Sequence, residues 1–140
     1  MCSSDLYVLP YSSQVLHAVQ AMGVPVIHFG TGTATLLQPM KQAGGTVIGL
    51  DWRVPLDRGW ELLGNDAIIQ GNLDPVALLS PIPVIKEKVK DVLQRASGRQ
   101  GHIFNLGHGI TKTTPVENVK AVVEMVHEMT SNTLLSQRGD

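Results

Sequence analysis

The sequence predicts an α/β chain built from four parallel βα units. Three observations carry that prediction. Four short segments, 24–29, 46–52, 67–72 and 102–107, are rich in branched or aromatic residues and bounded by Gly or a polar residue. A helical pattern lies between each and the next. The chain is 43% hydrophobic and only 16% charged, with 14 Gly among 140 residues, which suits buried strands joined by tight turns. The length predicts one domain. Two architectures accommodate four such units: a small doubly wound sheet, or part of an eight-unit barrel. The length alone favours the first.

The elements follow in order. An opening helix is expected over about 12–22. The first strand, 24–29, runs into Gly30-Thr31-Gly32-Thr33. The next helix, 34–43, ends at Gly44-Gly45 and the one at 55–63 ends at Gly64-Asn65, both natural stops. Asp74-Pro75 after the third strand reads as a cap followed by Pro at the first helical position. Over 84–95, Ile85, Val89 and Val92 share one side. Thr114-Pro115-Val116-Glu117 marks the last helix start, with Thr114 as cap. That helix, 116–129, carries a broad stripe of Val116, Val119, Val122, Val123, Val126 and Met129. Valine is a mediocre helix former, so packing must hold it. Alternation within the strands is weak, which fits strands covered on both faces. The tail after 128 is polar and is expected to fray.

Composition excludes several roles. Lys plus Arg is 11 and Asp plus Glu is 12, giving a formal charge of −1. That rules out a basic nucleic-acid platform and a polyanionic tail. Cys2 is the one cysteine, so neither an intramolecular disulfide nor a cysteine zinc cluster can form. No apolar run is long enough to span a bilayer, and the start has no signal-peptide pattern. His28, His102 and His108 lack compact metal-ligand spacing, and neither an HExxH nor a GxSxG motif occurs.

In either architecture ligands gather beyond the C-terminal ends of the strands. Those ends hold Gly30-Thr31-Gly32, Asp51-Trp52-Arg53, Gln70-Gly71-Asn72 and Gly107-His108-Gly109. Gly30 and Gly32 make a tight turn or an anion cradle. Asp51 is a base, an acceptor for a ligand N–H, or the partner of Arg53, which lies on the same side at i+2. Asn72 and Gln70 either meet a ligand or satisfy loop backbone. Trp52 and Trp60 read as packing residues. His108, between two glycines after an apolar strand, is the best candidate to donate to a carboxylate or relay a proton.

These residues carry a resemblance. Gly49-Leu50-Asp51-Trp52, Gln70-Gly71-Asn72-Leu73-Asp74-Pro75 and Asn105-Leu106-Gly107-His108-Gly109-Ile110, together with Tyr7-Val8-Leu9-Pro10-Tyr11, resemble the C-terminal part of uroporphyrinogen decarboxylase. The likeness runs over 7–129, leaving 1–6 as a start unlike the family and 130–140 as a polar tail. It implies the C-terminal half of a (β/α)8 barrel, with four parallel βα units. It also implies a cytoplasmic, cofactor-free decarboxylase, homodimeric at full length, that turns the four acetate side chains of uroporphyrinogen III into methyls, giving coproporphyrinogen III and carbon dioxide. The partner is then a tetrapyrrole polycarboxylate, with neither nucleic acid nor membrane involved. His108 matches the family's active-site histidine, which contacts substrate carboxylate. Gly30, Gly32, Asp51 and Arg53 fall at the pocket rim as expected substrate contacts. The wider superfamily holds cobalamin-linked methyltransferases, whose zinc-ligand pattern is not seen here.

The departures from that family are specific. The paired arginines of its RQAGRY-like motif, the aspartate that binds pyrrole N–H groups, and the tyrosine and the FDSWAG-like serine that hold substrate have no counterpart in these 140 residues. The chain matches roughly the last two-fifths of the enzyme, and alone it is expected to have little or no activity. Two other readings stand beside this one: a small flavodoxin-like ligand-binding module, and a non-catalytic structural fragment with exposed apolar strand edges at 24–29 and 102–106.

Overall fold

The computed structural model describes residues 7–136. The expected non-family start at 1–6 and the last four residues lie outside that range. The element order is α1 (Leu9–Gln20), β1 (Ile27–Phe29), α2 (Leu37–Ala43), β2 (Val47–Gly49), α3 (Leu56–Leu63), β3 (Ile69–Gln70), a 3-10 helix (Pro75–Leu79), α4 (Ile82–Ala96), β4 (His102–Ile103) and α5 (Val116–Ser136).

The four strands form one parallel sheet in the order β1-β2-β3-β4. Each helix packs on the next, α1 on α2 through to α4 on α5. A doubly wound sheet reverses its strand order and places helices on both faces. Here the order never reverses and the helices form one layer, as in a barrel wall. The fold is therefore a partial (β/α)8 barrel of four units, not the small doubly wound sheet that length alone favours.

Register shows how the two faces differ. His28, Ile48, Ile69 and His102 lie in one row, and Phe29, Gly49, Gln70 and Ile103 in the other. The first row faces the helices. Ile48, Leu50 and Ile69 are buried there with Leu37 and Met40 of α2, Trp60 and Leu63 of α3, Ile85 and Val89 of α4, and Val122 of α5. Each such side chain, once fully buried, contributes about 1.5–3 kcal/mol. Helix α3 reaches the sheet through Gly59, where a Cβ would stand 2.5 Å from Leu50 Cδ1. The second row has no helices over it, and Phe29 and Ile103 remain 44% and 42% exposed. The expectation of strands covered on both faces holds for β2, whose Val47, Ile48 and Gly49 are all buried, and is corrected for the outer strands β1 and β4, where Phe29 and Ile103 are exposed.

Several local expectations are refined. The regular strands are shorter than the apolar segments: β2 and β4 leave the ladder mainly at their C-terminal ends to build loops, β1 is shortened at its start and β3 at both ends. Pairing resumes once, where Leu73 bridges Leu106. The opening helix starts earlier, at Leu9, with a Pro in its first turn. Asp74 caps as expected, accepting the Val76 N–H at 2.9 Å, but it starts a 3-10 helix. The Thr114 hydroxyl meets Thr111 Oγ1 at 3.0 Å, and Pro115 stands immediately before α5. That helix extends past 129 to Ser136, with Thr130 Oγ1 donating to Val126 O at 2.8 Å. Of its apolar stripe Val122 is buried, while Val116 and Val123 are exposed, since α4 and the 3-10 helix are the neighbours it packs on.

Candidate functional site at the strand ends

All four strands end on one side of the sheet, and their loops form a rim. The loop after β1 is closed by the Thr33 hydroxyl, which donates to Gly30 O at 3.1 Å. The Gly32 N–H then crosses to the next loop and donates to Asp51 Oδ2 at 2.5 Å. Gly30 and Gly32 thus make a tight turn whose Gly32 N–H is already spent on a carboxylate, not on a free anion cradle.

Asp51 is wholly buried, at 0% exposure. Its Oδ1 accepts the Arg53 N–H at 2.8 Å, and its Oδ2 also meets Arg53 Nη1 at 3.3 Å. Of the three roles the sequence leaves open for Asp51, the geometry makes it the partner of Arg53. The guanidinium lies over the Trp52 ring, 3.8 Å from its centroid. A carboxylate on one edge and a π face beneath fix the cation and leave its other edge toward solvent.

The loop after β3 contributes Asn72, which is buried. Its Nδ2 donates to Asp51 O at 2.8 Å and to Val54 O at 2.5 Å. Asn72 therefore satisfies loop backbone. Gln70 lies in the helix-free row with Phe29 and Ile103.

The loop after β4 delivers His108. Gly107 N–H donates to Leu73 O at 2.8 Å, and a Cβ on Gly107 would stand 2.3 Å from the Trp52 nitrogen. Only glycine lets the two backbones approach so closely. The exposed His108 ring stands perpendicular to Trp52, their centroids 5.8 Å apart. Trp52, which reads as a packing residue in sequence, is instead the piece that joins Arg53 to His108. Trp60 does pack: it is 1% exposed, and its Nε1 donates to Ala67 O at 3.0 Å.

Other polar groups lie elsewhere. Arg58 pairs with Glu61 on the outer face of α3. His28 Nδ1 meets Met40 O at 3.1 Å. His102 lies between the Trp60 and Phe104 rings with Nε2 2.8 Å from Gly71 O, and burial pushes its pKa below the usual histidine value, opposed by that hydrogen bond. Arg95 of α4 ties Asp91 and Asp57 together; its hydrogen bond to Asp57 holds that carboxyl below its ordinary range. A cleft of about 440 Å³ runs from Trp52 and Arg53 past Asp74 to these α4 residues. Among the described residues no three of His, Cys, Asp and Glu gather into a metal-holding group, and no helix is long and apolar enough to cross a membrane.

The rim thus presents an imidazole and an oriented guanidinium at one tryptophan. Each of the two is a group that can meet a carboxylate, the guanidinium through charge-assisted hydrogen bonds and the imidazole as a donor. Comparison with known proteins places the chain in a family. A statistical description of the family "Uroporphyrinogen decarboxylase (URO-D)" matches residues 5–129. Uroporphyrinogen decarboxylase of Carboxydothermus hydrogenoformans is 57% identical over 127 residues, which are 91% of this chain and 36% of that protein. Those of Sorangium cellulosum and Thermus thermophilus are 53% and 50% identical, each over 88% of this chain and 35% and 36% of their own. The chain therefore spans little more than a third of the length of these curated relatives.

Proposed function

The chain belongs to the uroporphyrinogen decarboxylase family, and from that premise we propose that it is the C-terminal portion of an enzyme that decarboxylates the acetate side chains of uroporphyrinogen. The observation that supports this best is the seating of His108 beside Trp52 at the common end of the strands. In this reading residues 7–129 are the barrel portion, the tetrapyrrole lies over the rim, and the full-length enzyme is a cytoplasmic homodimer.

The chemistry sets what this portion contributes. When an acetate group loses carbon dioxide, the bonding electrons must flow into the pyrrole ring. Protonating that ring makes it the electron sink, and a carboxylate near the pyrrole N–H groups stabilises the cation. The family's groups for that step have no counterpart in this sequence. His108 and Arg53 instead hold peripheral carboxylates of the substrate. His108 donates a proton or hydrogen bond to one, and Arg53 presents the guanidinium edge that Asp51 leaves open. Their work is orientation and charge balance at the rim.

The test is a chimera in which the N-terminal part of the Carboxydothermus relative is joined to this chain. Coproporphyrinogen formation from uroporphyrinogen is expected, with a loss of about 10²-fold or more in the His108→Asn chimera. The 140-residue chain alone is expected to be inactive. A chimera that folds and releases no carbon dioxide overturns the activity, and turnover by the isolated chain near that of the chimera overturns the division of labour.

A further inference from the structure

Two buried polar groups at the rim bond to neighbouring loops. The Asp51 carboxylate accepts from Gly32 N–H, Arg53 N–H and Arg53 Nη1. The Asn72 amide spends both of its hydrogens on the carbonyls of Asp51 and Val54. At 0% exposure and with three of its roughly four lone-pair sites taken, this carboxylate is turned toward its neighbours in the protein and away from solvent. What these groups do is visible in what they hold. Asn72 reaches from the β3 loop and fastens both ends of the 51–54 turn. Asp51 fastens that turn to the β1 loop through Gly32 and aims Arg53 across Trp52. Gly107 lets the β4 loop lie directly against the same turn.

We propose that Asp51 and Asn72 are positioning residues: they hold the 51–54 turn so that Trp52 seats the Arg53 guanidinium over its ring and the His108 ring perpendicular to it. This deepens the proposed function, on which the ligand-facing roles of His108 and Arg53 rest. It also moves Asp51 from the substrate contacts expected in sequence to the support beneath them. The physical reason is economy of motion: a histidine and an arginine on separate loops pre-set around one ring lose less freedom on binding than two independent side chains.

The test reads the turn itself, without substrate. The full chain is labelled with 5-fluorotryptophan, giving one fluorine signal each for Trp52 and Trp60, assigned with Trp52→Phe. In the otherwise unchanged chain, His108→Gln is expected to shift the Trp52 signal, because the rings are in contact. In an Asn72→Ala or Asp51→Asn background that response is expected to vanish while the Trp60 signal stays in its folded position. A Trp52 response to His108→Gln that survives in both backgrounds overturns the proposal. If both variants lose the folded Trp60 signal, amide exchange in the unaltered chain decides. Gly32 and Arg53 N–H groups held by Asp51 are expected to exchange at least about tenfold slower than free amides; exchange at the free rate overturns it. Since no step uses a porphyrin, this test can succeed where the decarboxylation assay fails, and the reverse.

Discussion

The backbone of Gly107 rests against that of Trp52, so closely that a Cβ on Gly107 would lie 2.3 Å from the Trp52 nitrogen and 2.8 Å from its Cα. Neither neighbour is a flexible side-chain end that can swing away. Gly107→Ala is therefore expected to cost about 3 kcal/mol or more, at or above the upper end for overpacking, and to displace His108 from Trp52. Urea denaturation checks the first effect. A midpoint equal to that of the unaltered chain would rule out the contact.

The two tryptophans are expected to behave in opposite ways. Trp60→Phe removes buried volume and leaves Ala67 O without its donor, at a cost of about 2–3 kcal/mol. Trp52 is partly exposed, so Trp52→Phe is expected to cost under about 1 kcal/mol. Thermal unfolding of the pair measures both, and equal losses would contradict the assignment.

Stability is expected to fall on the acid side through His102. Burial lowers its folded-state pKa, so the unfolded chain takes up the proton first. Above the unfolded value near 6.5 both states are neutral and nothing is lost. As the pH drops below that value, the penalty grows until the folded pKa is reached. Denaturation midpoints from pH 7.5 to 5 are expected to slope down, and His102→Gln to flatten that slope.

The sheet edges predict self-association. Ile27 and Phe29 on β1 and Ile103 on β4 are 47%, 44% and 42% exposed, on strands at the two ends of the order. Unpaired apolar edges template further pairing. Light scattering at micromolar concentration is expected to show species larger than the monomer, reduced by Phe29→Lys with Ile103→Lys. A clean monomer of the unaltered chain would contradict this.

Much of this was legible in the sequence wherever the physics is local. The starts of β2 and β4, the stops at Gly44 and Gly64, the Asp74 cap and the i, i+2 pairing of Asp51 with Arg53 all depend on near neighbours. What the sequence hides is long-range. Nothing local distinguishes Trp52 from Trp60; the difference arises because Gly107 arrives from a distant segment beneath one and Ala67 caps the other. Asp51 is pulled out of solvent by Gly32 and Asn72, both remote in sequence. The stripe on α5 is helical in period, yet which of its valines are buried depends on the helices present to receive them.

The helices touch in sequence order, and so do the strands. Most of the element packing that stabilises one unit comes from the unit before or after it, while the contacts of Trp52 with the Gly107 loop and of Trp60 with His102 reach one unit further. Such wiring lets the wall grow by successive addition, each βα unit templating the next. A wall made this way can exchange whole units at its ends while those in the middle keep their partners, so recombination between relatives has its safest crossover points between units, not within them.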